Sequence, residues 1–247
     1  MKIGILGAGS IGATLARKLS GTGHDVRVAN SRGPETIGPH IVAAGARPVE
    51  AKNVATDVDV LITSIPLSRM PEVRDLIADL PANAVIVDTS NYYPLRDGRV
   101  EALESGKVES VWITEQLGRP VAKAWNAITA GSFEAYGREG GHPDRIAIPV
   151  AADRDHDKSV AMALVEETGF DALDAGSLAD SWRQQPGAPS YCTDLSGRKL
   201  REALAEAEKD RLPQRRDIVV TALTERFPSY TDVNLHYLVR LNRAIYS

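Results

Sequence analysis

The chain has 247 residues, 43% of them hydrophobic and 25% charged, with a formal net charge of −4. That composition supplies a packed core for one large domain, or a domain with an appendage, and excludes long disorder. The mild acidity argues against a nucleic-acid or anionic-membrane surface, and a single cysteine, Cys192, excludes an intrachain disulfide and points to a reducing compartment.

The first predicted strand, Lys2 to Leu6, begins at once, which leaves no room for a targeting peptide ahead of it. No apolar run approaches the ~18 residues of a membrane span, so a cytoplasmic location without a membrane partner is expected. The strand runs into Gly7-Ala8-Gly9-Ser10-Ile11-Gly12 and then a helix whose Ile11, Leu15 and Leu19 recur at helical spacing. In such a turn Gly7 permits the tight bend and Gly9 lets the backbone approach a pyrophosphate. Gly12 lets the helix pack closely on the sheet. The helix start, with Ser10 and Ile11 in its first turn, offers unpaired N–H groups and a partial positive charge to the phosphates. Gly21 and Gly23 end the helix, and a second strand, Asp25 to Ala29, follows.

The residues after that strand select the dinucleotide. An NAD site usually carries Asp or Glu there to bond the ribose, whereas here the chain reads Asn30-Ser31-Arg32 with no acid before Glu35. A carboxylate would repel a 2′-phosphate. Arg32 can pair with one and Ser31 can donate a hydroxyl to it, so the expected cofactor is NADP. The third glycine remains glycine, where NADP sites often have alanine.

Strands and helices then alternate to about residue 175. The pattern predicts a helix near Pro34 to Ala44, a short strand at Arg47 to Val49, and a nearly continuous apolar strand from Val58 to Ile65. A helix starts at Pro66 and a fifth strand, Ala84 to Val87, ends in Asp88-Thr89-Ser90-Asn91. Helical stretches near Val100 to Leu103 and Val111 to Leu117 precede a sixth strand, Val121 to Trp125. A seventh strand (Arg145 to Ala151), a helix (Lys158 to Thr168) and a strand (Asp171 to Ala175) complete the alternation. The expected class is α/β, a doubly wound, mainly parallel Rossmann-type sheet occupying residues 1–175. Residues 176–247 form a C-terminal loop and helical segment, with helices near Arg198 to Asp210, Asp217 to Arg226 and from Thr231 towards Ala244. The apolar tail residues, Tyr230, Leu235, Tyr237, Leu238 and Leu241 among them, either cover the core or form a homodimer contact.

Ligands of an open parallel sheet bind beyond the carboxyl ends of its strands. Thr63, Ser64 and Ile65 end the fourth strand and are expected to pass under the cofactor. Asn91, Lys123 and Asn126 end the fifth and sixth and become the candidate catalytic residues. Either asparagine could hold a carboxamide or a substrate carbonyl, and Lys123 could supply positive charge to a phosphate or a developing oxyanion. The competing reading is that Asp and Asn at strand ends simply shape turns. No H-E-x-x-H, C-x-x-C or carboxylate array is present, so no metal site is expected.

The stretches MKIGILGAGSIGATLARKLSGTGHDVRVANSR, VDVLITSIP, VIVDTSN and GRPVAKAWN together resemble the deazaflavin-dependent NADP oxidoreductases and their relatives, which include the reductase domain of the six-transmembrane epithelial metalloreductases. The resemblance covers about the first 125 residues and implies hydride transfer between nicotinamide and a second flat cofactor, a deazaflavin or flavin, in an adjacent cleft. Two redox carriers face to face need proximity and orientation more than a proton donor. The segment Trp182-Arg183-Gln184-Gln185-Pro186-Gly187 and the helical tail lie outside the matching motifs, with Trp182, Arg183 and Tyr191 as candidate lining residues for the second substrate. The alternatives are an NADPH-dependent imine or carbonyl reductase of a small molecule and a non-catalytic NADP-sensing module. Hydroxyacid dehydrogenases usually place a helical Lys-x-x-x-Asn, whereas Lys123-x-x-Asn126 stands at a strand end.

Overall fold

The computed structural model describes residues 1–229 and 233–247. Among the described residues, eight strands form one sheet: β1 (Lys2–Leu6), β2 (Asp25–Ala29), β3 (Arg47–Pro48), β4 (Val60–Thr63), β5 (Val85–Asp88), β6 (Ala122–Lys123), β7 (Ala147–Ala152) and β8 (Asp171–Asp174). Their order is β3-β2-β1-β4-β5-β6-β7-β8. Every neighbouring pair is parallel except β6 with β7, where Ala122 faces Ala152. The Rossmann-type sheet is thus mainly parallel, as expected. The reversal at β7 was not readable from the chain, because all six residues of that strand are buried and a strand covered on both faces carries no alternation.

Both faces of the sheet are packed. In β4, Val60 and Ile62 enter one apolar cluster and Leu61 the other. In β5, Val85 and Val87 part from Ile86 in the same way. The first face is covered by α1 (Ser10–Gly21), which contributes Leu15, Ala16 and Leu19. The predicted Pro34 to Ala44 helix is a single turn at Pro34–Thr36 followed by α2 (Pro39–Ala43). Ile37 and Gly38 between them are extended, since the residue before a proline is kept out of the helical region. After β4 come a tight 3₁₀ segment, Leu67–Glu72, and then α3 (Val73–Leu76), α4 (Pro94–Asp97), α5 (Glu101–Glu104) and α6 (Glu109–Leu117). Leu67, Met70, Val73, Ile113 and Leu117 from these elements close the second face.

A short α7 (Ala130–Ala135), not foreseen from the sequence, carries Phe133 against Trp125 and Phe170. Then α8 (Asp155–Glu167) joins the first face through Ala161, Leu164 and Val165. In the C-terminal segment, α9 (Gly197–Ala205) puts Leu200 and Leu204 against Ala147 and Leu173 of the sheet. α10 (Leu212–Arg226) and α11 (Leu235–Tyr246) build a separate cluster with Ala127, Tyr191 and Cys192. Tyr230 and Thr231, assigned from the sequence to the last helix and its approach, lie outside the described residues. No described helix is long and apolar enough to cross a membrane.

Candidate functional site

The turn from β1 into α1 shows three glycines with three different duties. Gly7 has φ +112°, and a Cβ on it would lie 2.1 Å from the Ser64 carbonyl oxygen. A Cβ on Gly12 would lie 1.9 Å from the Gly7 carbonyl oxygen, so the helix can sit this close to the strand only without one. A Cβ on Gly9 would meet no protein atom within 4 Å. Packing therefore does not require glycine at 9, whereas a ligand backed against that turn does. Gly9 caps α1 without a side-chain hydrogen bond, and the first helical turn holds no acid. Its N–H groups are left for an anion.

A cavity of about 660 Å³ opens at this turn, beyond the carboxyl ends of β1, β2 and β4. Gly7, Gly9, Asn30, Ser31, Arg32, Ser64 and Ile65, all named from the sequence, line it, and Ala51, Val73 and Leu76 supply an apolar side. Asn30 Oδ1 accepts the Arg32 backbone N–H at 2.9 Å, and Asn30 Nδ2 donates to Thr36 Oγ1 at 2.8 Å. These bonds fold the 30–36 turn so that Arg32 stands at the cavity rim. Arg32 is exposed and forms no ion pair among the described residues, whereas the other lining arginine, Arg69, is paired with Glu72 at 2.6 Å. The cleft fits a dinucleotide carrying a 2′-phosphate.

A second cavity has a volume of about 530 Å³. Gly9 lines the first cavity, and the next residues, Ser10 and Ile11, line the second. Asn91 and Asn126 both face it. They are joined in a chain of amides. Asn91 Nδ2 donates to the Asn126 carbonyl at 3.0 Å, and Asn126 Nδ2 donates to Asn91 Oδ1 at 3.0 Å and to the Gln184 carbonyl at 2.8 Å. Gln184 Nε2 returns a bond to Asn126 Oδ1 at 2.9 Å. Both Asn126 N–H bonds are committed, so Asn126 serves as a brace, while Asn91 keeps one amide hydrogen for a ligand.

The structure separates Lys123 from these residues. It is fully buried, ion-paired to Asp88 at 2.6 Å, donates to the Ser90 carbonyl, and lines neither cavity. Asp88 also accepts from Thr63 Oγ1, from the Ser90 N–H and from the Ser90 hydroxyl. The expected role of Lys123 as a charge presented to substrate is thereby corrected: its ammonium is spent on shaping the loop that carries Asn91. Thr63 likewise lines neither cavity and is held by Asp88, and Gly12 acts through packing rather than contact. Trp182 packs with the C-terminal helices, its ring 4.3 Å from the Arg183 guanidinium, and Arg183 donates to the Leu204 carbonyl. Neither lines the second cavity, but Tyr191 does.

Other residues of the second cavity were not foreseen. Tyr93 donates from its hydroxyl to that of Tyr191 at 2.9 Å, and Arg96 stacks 5.5 Å from the Tyr93 ring. Tyr93 follows two places after Asn91 and could have been read from the same loop. Asn242 and Tyr246 arrive from α11, which no local motif announces. Burial raises the Tyr191 hydroxyl well above its ordinary pKa and also pushes the Cys192 thiol up, which makes Cys192 a poor nucleophile. Trp125 (φ 56°) and Cys192 (φ 53°), both on this cavity, hold left-handed backbone conformations that side chains of their size rarely adopt. Such strain gathers at ligand sites.

A family model described as NADP oxidoreductase, coenzyme F420-dependent, matches residues 2–92, which bears out the resemblance read from the sequence over that stretch. The metalloreductase STEAP3 of Rattus norvegicus is 26% identical over 180 residues, covering 73% of this chain and 35% of that protein. The chain spans half or less of the length of the curated relatives it matches. Among solved structures, the hypothetical protein SMa0349 of Sinorhizobium meliloti superposes with a TM-score of 0.68 at 25% identity, over 79% of this chain and 95% of that one. A candidate F420-dependent NADP-reductase of Arthrobacter sp. FB24 gives a TM-score of 0.59 at 20% identity, over 73% of this chain and 87% of that one, a likeness of fold.

Proposed function

Residues 2–92 match the NADP oxidoreductases that depend on coenzyme F420, and on that premise we propose that the chain transfers hydride between NADP(H) and a flat redox acceptor, a deazaflavin or flavin, seated in the second cavity. The observation that carries this reading is that consecutive residues of one turn line the two cavities, Gly9 the first and Ser10 the second. A bound dinucleotide would have its phosphates held by the α1 N-terminus, and Asn91 would be available to its reactive end. When bound, NADPH supplies the hydride.

The chain's own residues bind and orient. The first turn of α1 and the Gly7–Gly9 backbone hold the diphosphate, and Arg32 with Ser31 holds the 2′-phosphate. Asn91, braced by Asn126 and Gln184, directs its remaining amide hydrogen at the ligand. Residues of α10 and α11 line the second cavity. Tyr93 and Tyr191 are aromatic residues of this cavity of a kind that suits a planar acceptor.

A second reading has one observation in its favour. The Tyr93–Tyr191 hydroxyl pair places an O–H donor in the cavity, which a carbonyl or imine reductase requires. The deciding experiment follows NADPH absorbance while deazaflavin, flavin and a carbonyl and imine panel are offered. Oxidation driven by flavin or deazaflavin supports the first reading, and oxidation driven only by carbonyls or imines supports the second. Tight NADPH binding without turnover across the panel would count against both and leave either a substrate outside the panel or a sensor.

A further inference from the structure

The helix α11 brings an amide to the wall of the second cavity. Asn242 lines that cavity and is 2% exposed, and Val219, Leu223 and Leu238 are among its neighbours on the wall. Its Nδ2 donates to the Cys192 carbonyl at 3.2 Å. The next residue, Arg243, donates from Nε to the Thr193 carbonyl at 2.7 Å and from Nη2 to the Asp194 carbonyl at 2.9 Å. Two successive side chains of α11 thus grip the carbonyls of the 192–194 turn, in which Cys192 and Asp194 hold left-handed backbone conformations at φ 53° and 50°.

The grip fixes which atom of Asn242 is left over. Turning the amide round would set Oδ1 against the Cys192 carbonyl oxygen, acceptor against acceptor, so the hydrogen-bond network assigns Nδ2 to that carbonyl. Oδ1 is then buried without a hydrogen-bond donor among the described residues. Buried polar groups of folded proteins are nearly always paired, and an unpaired acceptor among apolar side chains destabilises the fold that holds it. In the same cavity Asn91 keeps one amide hydrogen free. A donor and an acceptor together complement an amide, whose carbonyl suits the first and whose N–H suits the second.

We propose that Asn242 is a specificity-determining residue of the second cavity: its Oδ1 accepts the N–H of a ligand amide. The proposal deepens, and rests on, the reading of that cavity as the acceptor site. Two ligands of that reading carry such a group. A flavin or deazaflavin ring has an imide N–H between two carbonyls, and nicotinamide has a carboxamide. A simple ketone or aldehyde has no N–H and leaves Oδ1 unpaired, so the residue favours the imide-bearing rings over a carbonyl substrate.

The test measures binding to the full chain. Riboflavin and 5-deazariboflavin are compared by fluorescence with their N3-methyl derivatives, and NADP⁺ with its 3-acetylpyridine analogue, in which a ketone replaces the carboxamide. Asn242→Leu is expected to weaken the two N–H rings about three- to tenfold, the worth of one neutral hydrogen bond. The N-methyl rings change less than about twofold, because they have no bond to lose. Asn242→Asp keeps an acceptor oxygen in place and retains the wild-type preference for N–H over N-methyl, which tests the role even if the leucine variant does not fold. If nicotinamide is the source of the N–H, NADP⁺ shows the loss in Asn242→Leu, its acetylpyridine analogue does not, and the flavins are unaffected. Equal losses within each pair of ligands, or no loss in either pair, overturn the role of Asn242. A wild type that binds no flavin overturns the acceptor reading instead, and the dinucleotide pair then decides Asn242 by itself.

Discussion

Replacing each motif glycine in turn separates what the fold needs from what the ligand needs. Gly9 has φ −73° and ψ −175°, ordinary for any L-residue, and its added Cβ would meet nothing within 4 Å. Gly9→Val is therefore expected to lower unfolding free energy by about 1 kcal/mol at most, the cost of an apolar residue in place of glycine at a helix N-cap. Gly12→Ala drives a methyl to 1.9 Å from a backbone carbonyl. That oxygen must retreat by more than an ångström inside a packed strand-helix junction, at a cost of about 1–3 kcal/mol or more. Gly7→Ala adds a left-handed φ of +112° to a 2.1 Å clash, which costs about 1–3 kcal/mol for the backbone alone. Ligand binding is expected to fall where stability does not. A valine at 9 occupies the space of the diphosphate and raises the NADPH Kd at least about tenfold, which is about 1.4 kcal/mol. Urea denaturation of the apo chain and NADPH titration of the same samples give both quantities. If Gly9→Val binds NADPH like wild type, the diphosphate does not lie on this turn. If it unfolds the apo chain, the space beside Gly9 is not open.

Arg32→Glu is expected to weaken NADPH by roughly 10- to 100-fold, from loss of a charge-assisted contact and added repulsion, and to leave NADH within about twofold; equal losses for both would remove the 2′-phosphate from Arg32. Lys123→Met strands Asp88 in the interior and should destabilise the fold by about 3–5 kcal/mol in urea, whereas an unaltered midpoint would show that the pair is not structural. Asn91→Ala leaves NADPH affinity intact and lowers turnover with an accepted acceptor about tenfold, by removal of the side chain that Asn126 braces; unchanged turnover takes Asn91 out of the site. Burial raises the Glu109 carboxyl from 4.5 in the unfolded chain to about 6 in the folded one. The folded state holds that proton more tightly, so the group's stabilisation is complete below pH 4.5 and is lost as pH rises through 6. Relative to Glu109→Gln, the wild type is expected to lose up to about 2 kcal/mol across that window, and parallel pH curves for the two proteins would contradict this assignment.

Much of the nucleotide cleft was legible residue by residue, because its chemistry is local. The turn Gly7 to Gly12, the missing acid after β2, and Arg32 are each fixed by a few consecutive residues, and backbone sterics or charge alone assign their roles. The strands up to β6, and a mainly parallel sheet, were readable from apolar runs and connection rules, whereas their order in the sheet came from the structure. Lys123 shows the limit. Its place at a strand end was readable, but whether its ammonium faces a ligand or a buried carboxylate depends on Asp88, thirty-five residues away. The direction of β7 was hidden because burial on both faces erases the pattern that would mark it.

The second cavity belongs almost wholly to tertiary structure. Its sides draw on α1, on the loops after β5 and β6, on the turn at Tyr191, and on α10 and α11. No spacing in the chain announces that Tyr93 meets Tyr191 ninety-eight residues on. The sequence by itself determined a dinucleotide turn and the sign of the charge beside it, since those depend on neighbouring residues and elementary electrostatics. Which side chains surround the second cavity was decided only when packing of the C-terminal helices brought distant residues within hydrogen-bond reach, because long-range contacts are set by how apolar surfaces close upon one another and leave no mark at any one position.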